Sequence, residues 1–183
     1  MEIAVLEGDL KLINKIKKNF GEYEIKTDDA DIGNGADLWI TIVGIVGVVF
    51  LQGGKINKNL DAWLEIGKKI NKLFKKKNKP MFIDKEAAIS LALNKIDKKT
   101  KISDIDLIQE SELIDKVRIT KDFDINFNPY NYYLFVFKVN YDEHFIFCIK
   151  SNGQIRLVDY FEGTEWNFHL DWDNHNKRED HYN

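Results

Sequence analysis

Five carboxylates are the residues of this chain whose type and position could support metal chemistry. Glu7 and Asp9 follow the first strand-like run, Asp28 and Asp29 follow the second, and Asp84 follows a third. If residues 1–110 form a parallel sheet, ligands bind outside the carboxyl ends of its strands, and converging carboxylates supply the oxygen ligands that Mg²⁺ prefers. Helix caps and polar loops account for the same acids, so we expect no metal site. A Mg²⁺-dependent phosphotransfer or nuclease enzyme is the alternative.

The segment Glu7-Gly8-Asp9 resembles the glutamate-glycine turn of Toprim-type metal-dependent nucleases. That family also carries a later Asp-x-Asp motif. Two places in this chain match the motif loosely, namely Asp29 with Asp31 and Asp104 with Asp106. The resemblance covers these few residues, and it implies a Mg²⁺ site near the first strand.

A second set of residues combines aromatic side chains with carboxylates. Aromatic residues are enriched at the cores of protein interfaces, and acids around them speed association with a basic partner. We therefore expect a partner-binding surface in the last third of the chain, made of Tyr130, Tyr132, Tyr160, Glu162, Glu165, Trp166, Asp171, Trp172 and Asp173. The alternative is that the aromatic residues fill the core and the acids solvate a polar tail.

Residues 38–77 join an apolar run to a lysine-rich segment. The run, residues 38–51, carries no charge, and it is shorter than the roughly 20 residues that a spanning helix needs. Its length favours a buried helix with Asp37 near its start and Gly53 or Gly54 at its end, whereas its β-branched residues favour a strand. Residues 55–79 hold nine lysines, so a peripheral membrane protein that uses residues 38–77 is a further alternative.

The composition is typical of a soluble globular protein of a reducing compartment. Of the 183 residues, 44% are hydrophobic and 31% are charged, and the net charge is -3, which gives no overall attraction to nucleic acid. The single cysteine, Cys148, excludes an intramolecular disulfide and fits the cytoplasm. Its apolar, strand-like surroundings predict a buried structural thiol. Abundant Lys, Asn and Ile with only two prolines indicate a bacterial, AT-rich genome.

The sequence carries none of the common catalytic or cofactor signatures. It has no phosphate-binding loop, no Gly-x-Gly-x-x-Gly, no Cys-x-x-Cys, no Gly-x-Ser-x-Gly and no His-Glu-x-x-His. A nucleophilic Cys148 would need a histidine beside it, and His144 would lie on the same strand face about 13 Å away. We therefore expect no cofactor and no catalytic residue.

Hydrophobic periodicity predicts alternating strands and helices in the first part of the chain. Residues 3–6 read as a strand, Asp9 caps a helix that ends near Gly21, and an acidic loop covers residues 28–37. Residues 58–77 form the clearest helix, with Trp63 on its buried face. A short strand at 81–83, a helix capped by Asp84 and a further strand at 105–108 follow.

The second half changes to the alternation of antiparallel strands. Residues 133–139, 145–150 and 155–160 are rich in aromatic and β-branched residues. Asn152-Gly153 joins the last two of these runs, and this dipeptide is the strongest short hairpin signal. We predict an antiparallel meander over residues 111–166 and a polar C-terminal tail over residues 167–183.

These patterns predict an α+β fold with an N-terminal α/β layer over residues 1–110, amphipathic helices and a C-terminal antiparallel β-meander. For function, we favour a non-enzymatic bacterial cytosolic binding protein. Small acidic bacterial proteins with an aromatic-rich sheet often act as immunity proteins that antagonise a toxin, an analogy of type only. We expect a protein partner and neither nucleic acid nor membrane. The partner's identity and the oligomeric state stay open.

Overall fold

The computed structural model describes residues 1–6, 8–31, 39–46, 56–74, 81–113 and 131–163. Helices and antiparallel sheets both occur, which confirms the α+β class. In chain order the elements are β1 (Glu2–Leu6), α1 (Leu10–Asn19), β2 (Glu24–Asp31), β3 (Trp39–Val46), a 3₁₀ turn (Ile56–Asn59), α2 (Leu60–Phe74), β4 (Met81–Ile83), α3 (Lys85–Asp97), β5 (Ile105–Leu113), β6 (Tyr132–Val139), β7 (Glu143–Lys150) and β8 (Ile155–Glu162).

The first sheet has the strand order β2-β3-β1-β4, and every neighbouring pair in it is antiparallel. Because β3 lies between β1 and β2, the β1-α1-β2 segment is a split β-α-β unit, and the whole β-α-β-β-α-β order is ferredoxin-like. The parallel sheet considered from the sequence is therefore wrong. β1 and β2 still run in the same direction, but β4 runs in the opposite one.

The apolar run forms the strand β3, so the predicted buried helix is wrong for residues 39–46. Val43 and Ile45 face the helices and are fully or almost fully buried, while Ile40 packs on the other side of the sheet with Ala4. A strand buried on both faces reads as a continuous apolar run, and β-branched side chains suit it. Residues 47–51, Asp37, Gly53 and Gly54 lie outside the described residues.

The three helices cover one face of this sheet. Asp9 caps α1, because its carboxylate accepts a hydrogen bond from the backbone of Leu12 at 3.0 Å, as predicted. Trp63 of α2 is buried, which confirms the predicted face of that helix. α3 lies at the centre of the molecule and contacts α2, β1, β6 and β7. Every residue from Ala87 to Asn94 in α3 is buried.

The second sheet has the order β5-β6-β7-β8 and is antiparallel throughout. It confirms the predicted meander and adds β5, which spans residues 105–113 and so crosses the boundary expected near residue 110. The predicted Asn152-Gly153 hairpin joins β7 to β8. Gly153 adopts a φ of +79° there and lies so close to Phe74 of α2 that a Cβ would be 2.6 Å from the ring.

One cluster of buried side chains joins both sheets to the helices. It includes Ile3 and Val43 from the first sheet, Leu91 from α3, and Phe135 and Phe147 from the second sheet. Apolar side chains of β3 and α2 are therefore packed in the hydrophobic core of the protein. In the parts of the chain that the structure describes, no helix is long and apolar enough to cross a bilayer.

The two edge strands of the second sheet each carry a bulge. In β5 the register against β6 shifts at Ile108, and in β8 the register against β7 shifts at Val158. Ile108 is 40% exposed and Val158 is 52% exposed. Bulges at sheet edges disturb the regular backbone ladder that another strand would need for pairing.

Candidate functional site: an acidic cleft between the sheets

Asp84 lies where the two sheets and the start of α3 meet. One carboxylate oxygen accepts a hydrogen bond from the Ala87 backbone N–H at 2.9 Å, which caps α3 as the sequence predicted. The other oxygen accepts a hydrogen bond from the backbone N–H of Glu2. The Asp84 side chain therefore ties the beginning of α3 to the beginning of β1.

The burial of Asp84 changes its acidity. Removal from water raises the pKa of its carboxyl group to about 8, and the neighbouring Glu86 carboxylate contributes to the rise, while the hydrogen bond from Ala87 opposes it. A buried carboxyl next to a second acid favours its neutral form for both reasons. At neutral pH Asp84 is therefore mostly protonated.

Tyr133 of β6 closes the same region from the second sheet. Its ring is almost fully buried, and its hydroxyl donates a hydrogen bond to the Ile83 carbonyl oxygen at 3.0 Å. Burial raises the pKa of this hydroxyl, so it stays a hydrogen-bond donor. The Ile83 backbone N–H in turn donates to the Ser151 carbonyl at 2.8 Å. These two bonds fasten the edge strand β4 to the second sheet.

A cleft of about 350 Å³ opens beside these groups. This volume is at the small end of the range for ligand sites. Most of its lining side chains are acids: the full lining consists of Met1, Glu2, Asp84, Lys85, Glu86, Glu112 and Tyr133. Two positive charges lie at the cleft: the Lys85 ammonium is 3.0 Å from Glu110 of β5, and the N-terminal ammonium of Met1 is 3.9 Å from Asp84. The cleft is therefore acidic.

Asn131 supports the back of this cleft. Its side-chain nitrogen donates a hydrogen bond to the Glu112 carboxylate at 2.8 Å. The residue is 3% exposed, and among the described residues its side-chain oxygen has no hydrogen-bond partner. A buried amide oxygen without a partner costs free energy.

The structure describes three of the predicted partner-binding residues, and these three lie at two separate locations. Tyr132 lies at the start of β6 on the face turned away from the helices, with the Lys150 ammonium 4.9 Å from its ring centre. Tyr160 and Glu162 lie at the other end of the sheet and face the helix side. Tyr130, Glu165, Trp166, Asp171, Trp172, Asp173 and the polar tail lie outside the described residues.

Tyr160 and Glu162 are brought together, but in a network that holds turns in place. The Tyr160 hydroxyl lies 2.7 Å from a Glu162 oxygen and 3.2 Å from a Glu143 oxygen. The Lys99 ammonium sits 3.9 Å from the centre of the Tyr160 ring, a cation–π contact. Glu143 also accepts hydrogen bonds from Thr100 and Asn140. These contacts join the end of β8 to the loop after α3 and to the β6–β7 turn.

The four described carboxylates of the metal hypothesis do not all converge. Asp9 follows β1, and Asp28 and Asp29 lie inside β2, so the predicted acidic loop is wrong for residues 28–31. Asp84 lies at the opposite end of β1, roughly 15–20 Å away at about 3.3 Å per strand residue. Within the described ranges no group of three acids, histidines or cysteines could hold a metal ion. Glu7 is not described.

Cys148 lies on β7, on the face of the sheet that is turned away from the helices. It is half-buried and packs against the cluster of Leu134, Val136 and Ile146. Burial raises the pKa of the thiol, although Lys150 and Arg156 oppose the rise. The thiolate form is therefore disfavoured, in agreement with a structural side chain.

Of the residues that form the cleft, only Asp84 was identified as a candidate site residue from the sequence. Glu2, Glu112 and Tyr133 come from three strands whose pairing the sequence pattern did not show. The only local signal was the Asp84-Lys85-Glu86 segment at the start of a helix, and caps of this type are common at helix starts.

The chain matches no family model, no curated protein and no solved structure. The geometry of the cleft therefore carries the functional argument.

Proposed function

We propose that the protein is a non-enzymatic binding protein of the cytoplasm that recognises a positively charged group of a protein partner through the acidic cleft. The observation that carries the proposal is the lining of the cleft. Glu2, Glu86 and Glu112 border a space of about 350 Å³, while the nearby lysine is paired with Glu110. Charge-assisted hydrogen bonds to such carboxylates are stronger than neutral ones.

An arginine or lysine side chain of a partner fits the donors and acceptors of the cleft. Its N–H groups would bond to Glu112 and Glu86, which both line the cleft. Tyr133 supplies an apolar ring at the inner wall. A planar guanidinium can form paired hydrogen bonds with carboxylates, which favours arginine over lysine.

The arrangement supports binding more than catalysis. The raised pKa of Asp84 is of the kind that a general acid needs, but backbone N–H groups of Ala87 and Glu2 bond to both of its oxygens. Its position is explained by the cap of α3 and by the tie to β1. Glu86 and Glu112 remain as ligands for a cation.

A toxin antagonist is the form of this proposal that we favour. A toxin that acts on nucleic acid presents a basic surface, and an acidic antagonist associates with it quickly because opposite charges steer the encounter. The predicted surface of Trp166, Trp172 and the neighbouring acids is a second part of the same proposal and stays a prediction.

An NMR titration with N-acetyl-argininamide tests the cleft directly. We expect amide shifts at residues 84–87, 112 and 133 that saturate in the millimolar range. Glu112→Gln should weaken binding at least about fivefold, which corresponds to about 1 kcal/mol. The matched control is Glu24→Gln, which removes one exposed carboxylate from β2. The proposal is rejected if the shifts are scattered, or if both variants bind alike.

The partner itself gives the second test. A protein recovered from the native host by affinity capture should be basic, and its measured affinity should fall with Glu112→Lys but not with Asp61→Lys, a change on the exposed side of α2. An acidic partner, or equal affinities for the two variants, would rule out recognition through the cleft.

A further inference from the structure

The outer edge of β2 differs from the other three sheet edges that the structure describes. β5 and β8 are interrupted by the bulges at Ile108 and Val158. The short strand β4 is fastened to the second sheet through the bond from Ile83 to Ser151. β2, by contrast, pairs with β3 over eight residues without a register shift.

Among the described residues, no strand pairs with the outer backbone edge of β2. Glu24, Lys26, Thr27, Asp28 and Asp29 are exposed. No hydrogen bond of the described residues uses the outward N–H and C=O groups of β2. Along an antiparallel strand, residues whose N–H and C=O groups point to the paired strand alternate with residues whose groups point outward. A regular, open edge of this length is the geometry that accepts an added strand.

The charges along β2 determine which charges an added strand needs for favourable pairing. The strand carries four acids and one lysine, in the order EIKTDDAD. Lys26 lies 3.5 Å from Glu24, so these two charges offset each other. Asp28 and Asp29 are exposed, follow one another, and project to opposite faces of the sheet because successive strand residues do so. Asp29 accepts a hydrogen bond from Thr41 at 2.6 Å, which orients its carboxylate.

We propose that the outer edge of β2 binds, as an added strand, an extended segment of a partner protein that carries two successive basic residues. One basic side chain would lie beside Asp28 on one face and the next beside Asp29 on the other. Directly opposite residues on paired strands have Cβ atoms about 4.5–5.5 Å apart, within reach of an ion pair. Backbone bonds give this mode its affinity, and the charges give its register.

A second copy of the chain fits this edge less well. Antiparallel pairing of two β2 strands would oppose the same four acids and one lysine on each side. Like charges opposite one another destabilise strand pairs. A basic segment from another protein has the complementary charge.

The test uses a synthetic hexapeptide of sequence TVKRVT and its N-methylated form. N-methylation removes outward N–H groups of the peptide but leaves both charges. For the unmodified peptide we expect amide shifts at residues 24–29 and slower hydrogen exchange there. The N-methylated peptide and the acidic peptide TVDEVT should bind at least about tenfold more weakly.

Matched variants distinguish binding at the β2 edge from nonspecific electrostatic attraction. Asp28→Lys should weaken binding of TVKRVT more than about tenfold, whereas Asp159→Lys makes the same charge change on the bulged edge of β8 and should leave it unchanged. Circular dichroism checks that both variants are folded. If Asp28→Lys does not fold, Asp28→Asn takes its place and should reduce binding less.

Three results would overturn the proposal. The first is equal binding of the unmodified and N-methylated peptides, which would show charge attraction without strand addition. The second is an absence of shifts at residues 24–29 at millimolar peptide. The third is a dimer in light scattering whose formation prevents the peptide-induced shifts at residues 24–29, which would make a second copy the occupant. The acidic cleft lies by β4, at the opposite edge of this sheet. A negative argininamide titration would therefore reject the cleft without affecting the test of the β2 edge.

Discussion

Gly67 of α2 lies directly against the backbone of Ser90 in α3, so that a Cβ at position 67 would be 2.2 Å from the Ser90 carbonyl oxygen and 3.0 Å from Asn94. Both helices are buried at this crossing. A glycine in a helix interior loses about 1 kcal/mol of helix propensity relative to alanine. Here its lack of a side chain allows the two backbones to approach.

Gly67→Ala should destabilise the fold despite alanine's better helix propensity. The added methyl group has to push the helices apart, and overpacking of this kind costs about 1–3 kcal/mol or more. Urea unfolding measures the change. The matched control is Gly44→Ala in β3, where the nearest atoms to a Cβ, in Lys26, are 3.8 Å away. Equal losses for the two variants would mean that the helix crossing is looser than described.

Trp63→Ala should remove a large side chain from the core beneath α2. Trp63 is 4% exposed, and truncation of a buried aromatic residue to alanine costs about 3–5 kcal/mol. Lys68→Ala, on the exposed side of the same helix, should change stability by less than about 0.5 kcal/mol. Similar unfolding free energies for both variants would contradict the orientation of α2.

Asp84 should make the protein less stable as the pH rises from about 5 to 8. The pKa of its carboxyl is about 8 in the folded protein, against 3.8 as the ordinary value, so the folded state holds a proton that the unfolded state has lost. Stability then falls with rising pH, by at most about 1.4 kcal/mol per pH unit from this group. Asp84→Asn, which can still cap α3, should remove this slope, whereas the exposed Asp61→Asn should not.

His144 should contribute the opposite slope at mildly acidic pH. Its ring is buried and stacks on Phe161 with the ring centres 4.7 Å apart. Burial lowers the pKa of His144, with a smaller contribution from Lys138. The unfolded state therefore binds a proton first, and stability falls as the pH drops below about 6.5. In an Asp84→Asn background, His144→Phe should flatten the loss between pH 7 and 5, and an unchanged curve would show that His144 does not titrate in this way.

The local elements were predictable because their signals lie within a few residues. Asp9 and Asp84 were identified as caps, and Asn152-Gly153 identified the last hairpin, since each depends on backbone groups nearby in sequence. Trp63 followed from helical spacing. β3 was not predictable in the same way, because burial of Ile40 on one face and Val43 on the other erases the alternation that marks a strand.

The site depends on pairings between distant parts of the chain. Glu2 and Asp84 are 82 residues apart, and they meet because β1 pairs with β4 in antiparallel orientation. The sequence pattern allowed a parallel sheet equally well, and that choice placed Asp84 with Asp9 instead of Glu2. Glu112 and Tyr133 join the cleft through the pairing of β5 with β6, which no short-range signal specifies.

The central position of α3 also has a consequence for synthesis of the protein. Ala87 to Asn94 is buried all round because α2 covers one part and β6 and β7 cover another. When a ribosome has just released α3, the strands that complete its surroundings, which end at Lys150, have not yet emerged. The helix must therefore remain partly uncovered for several seconds at ordinary translation speeds of about 5–20 residues per second. That interval is when a nascent-chain chaperone would find its apolar surface.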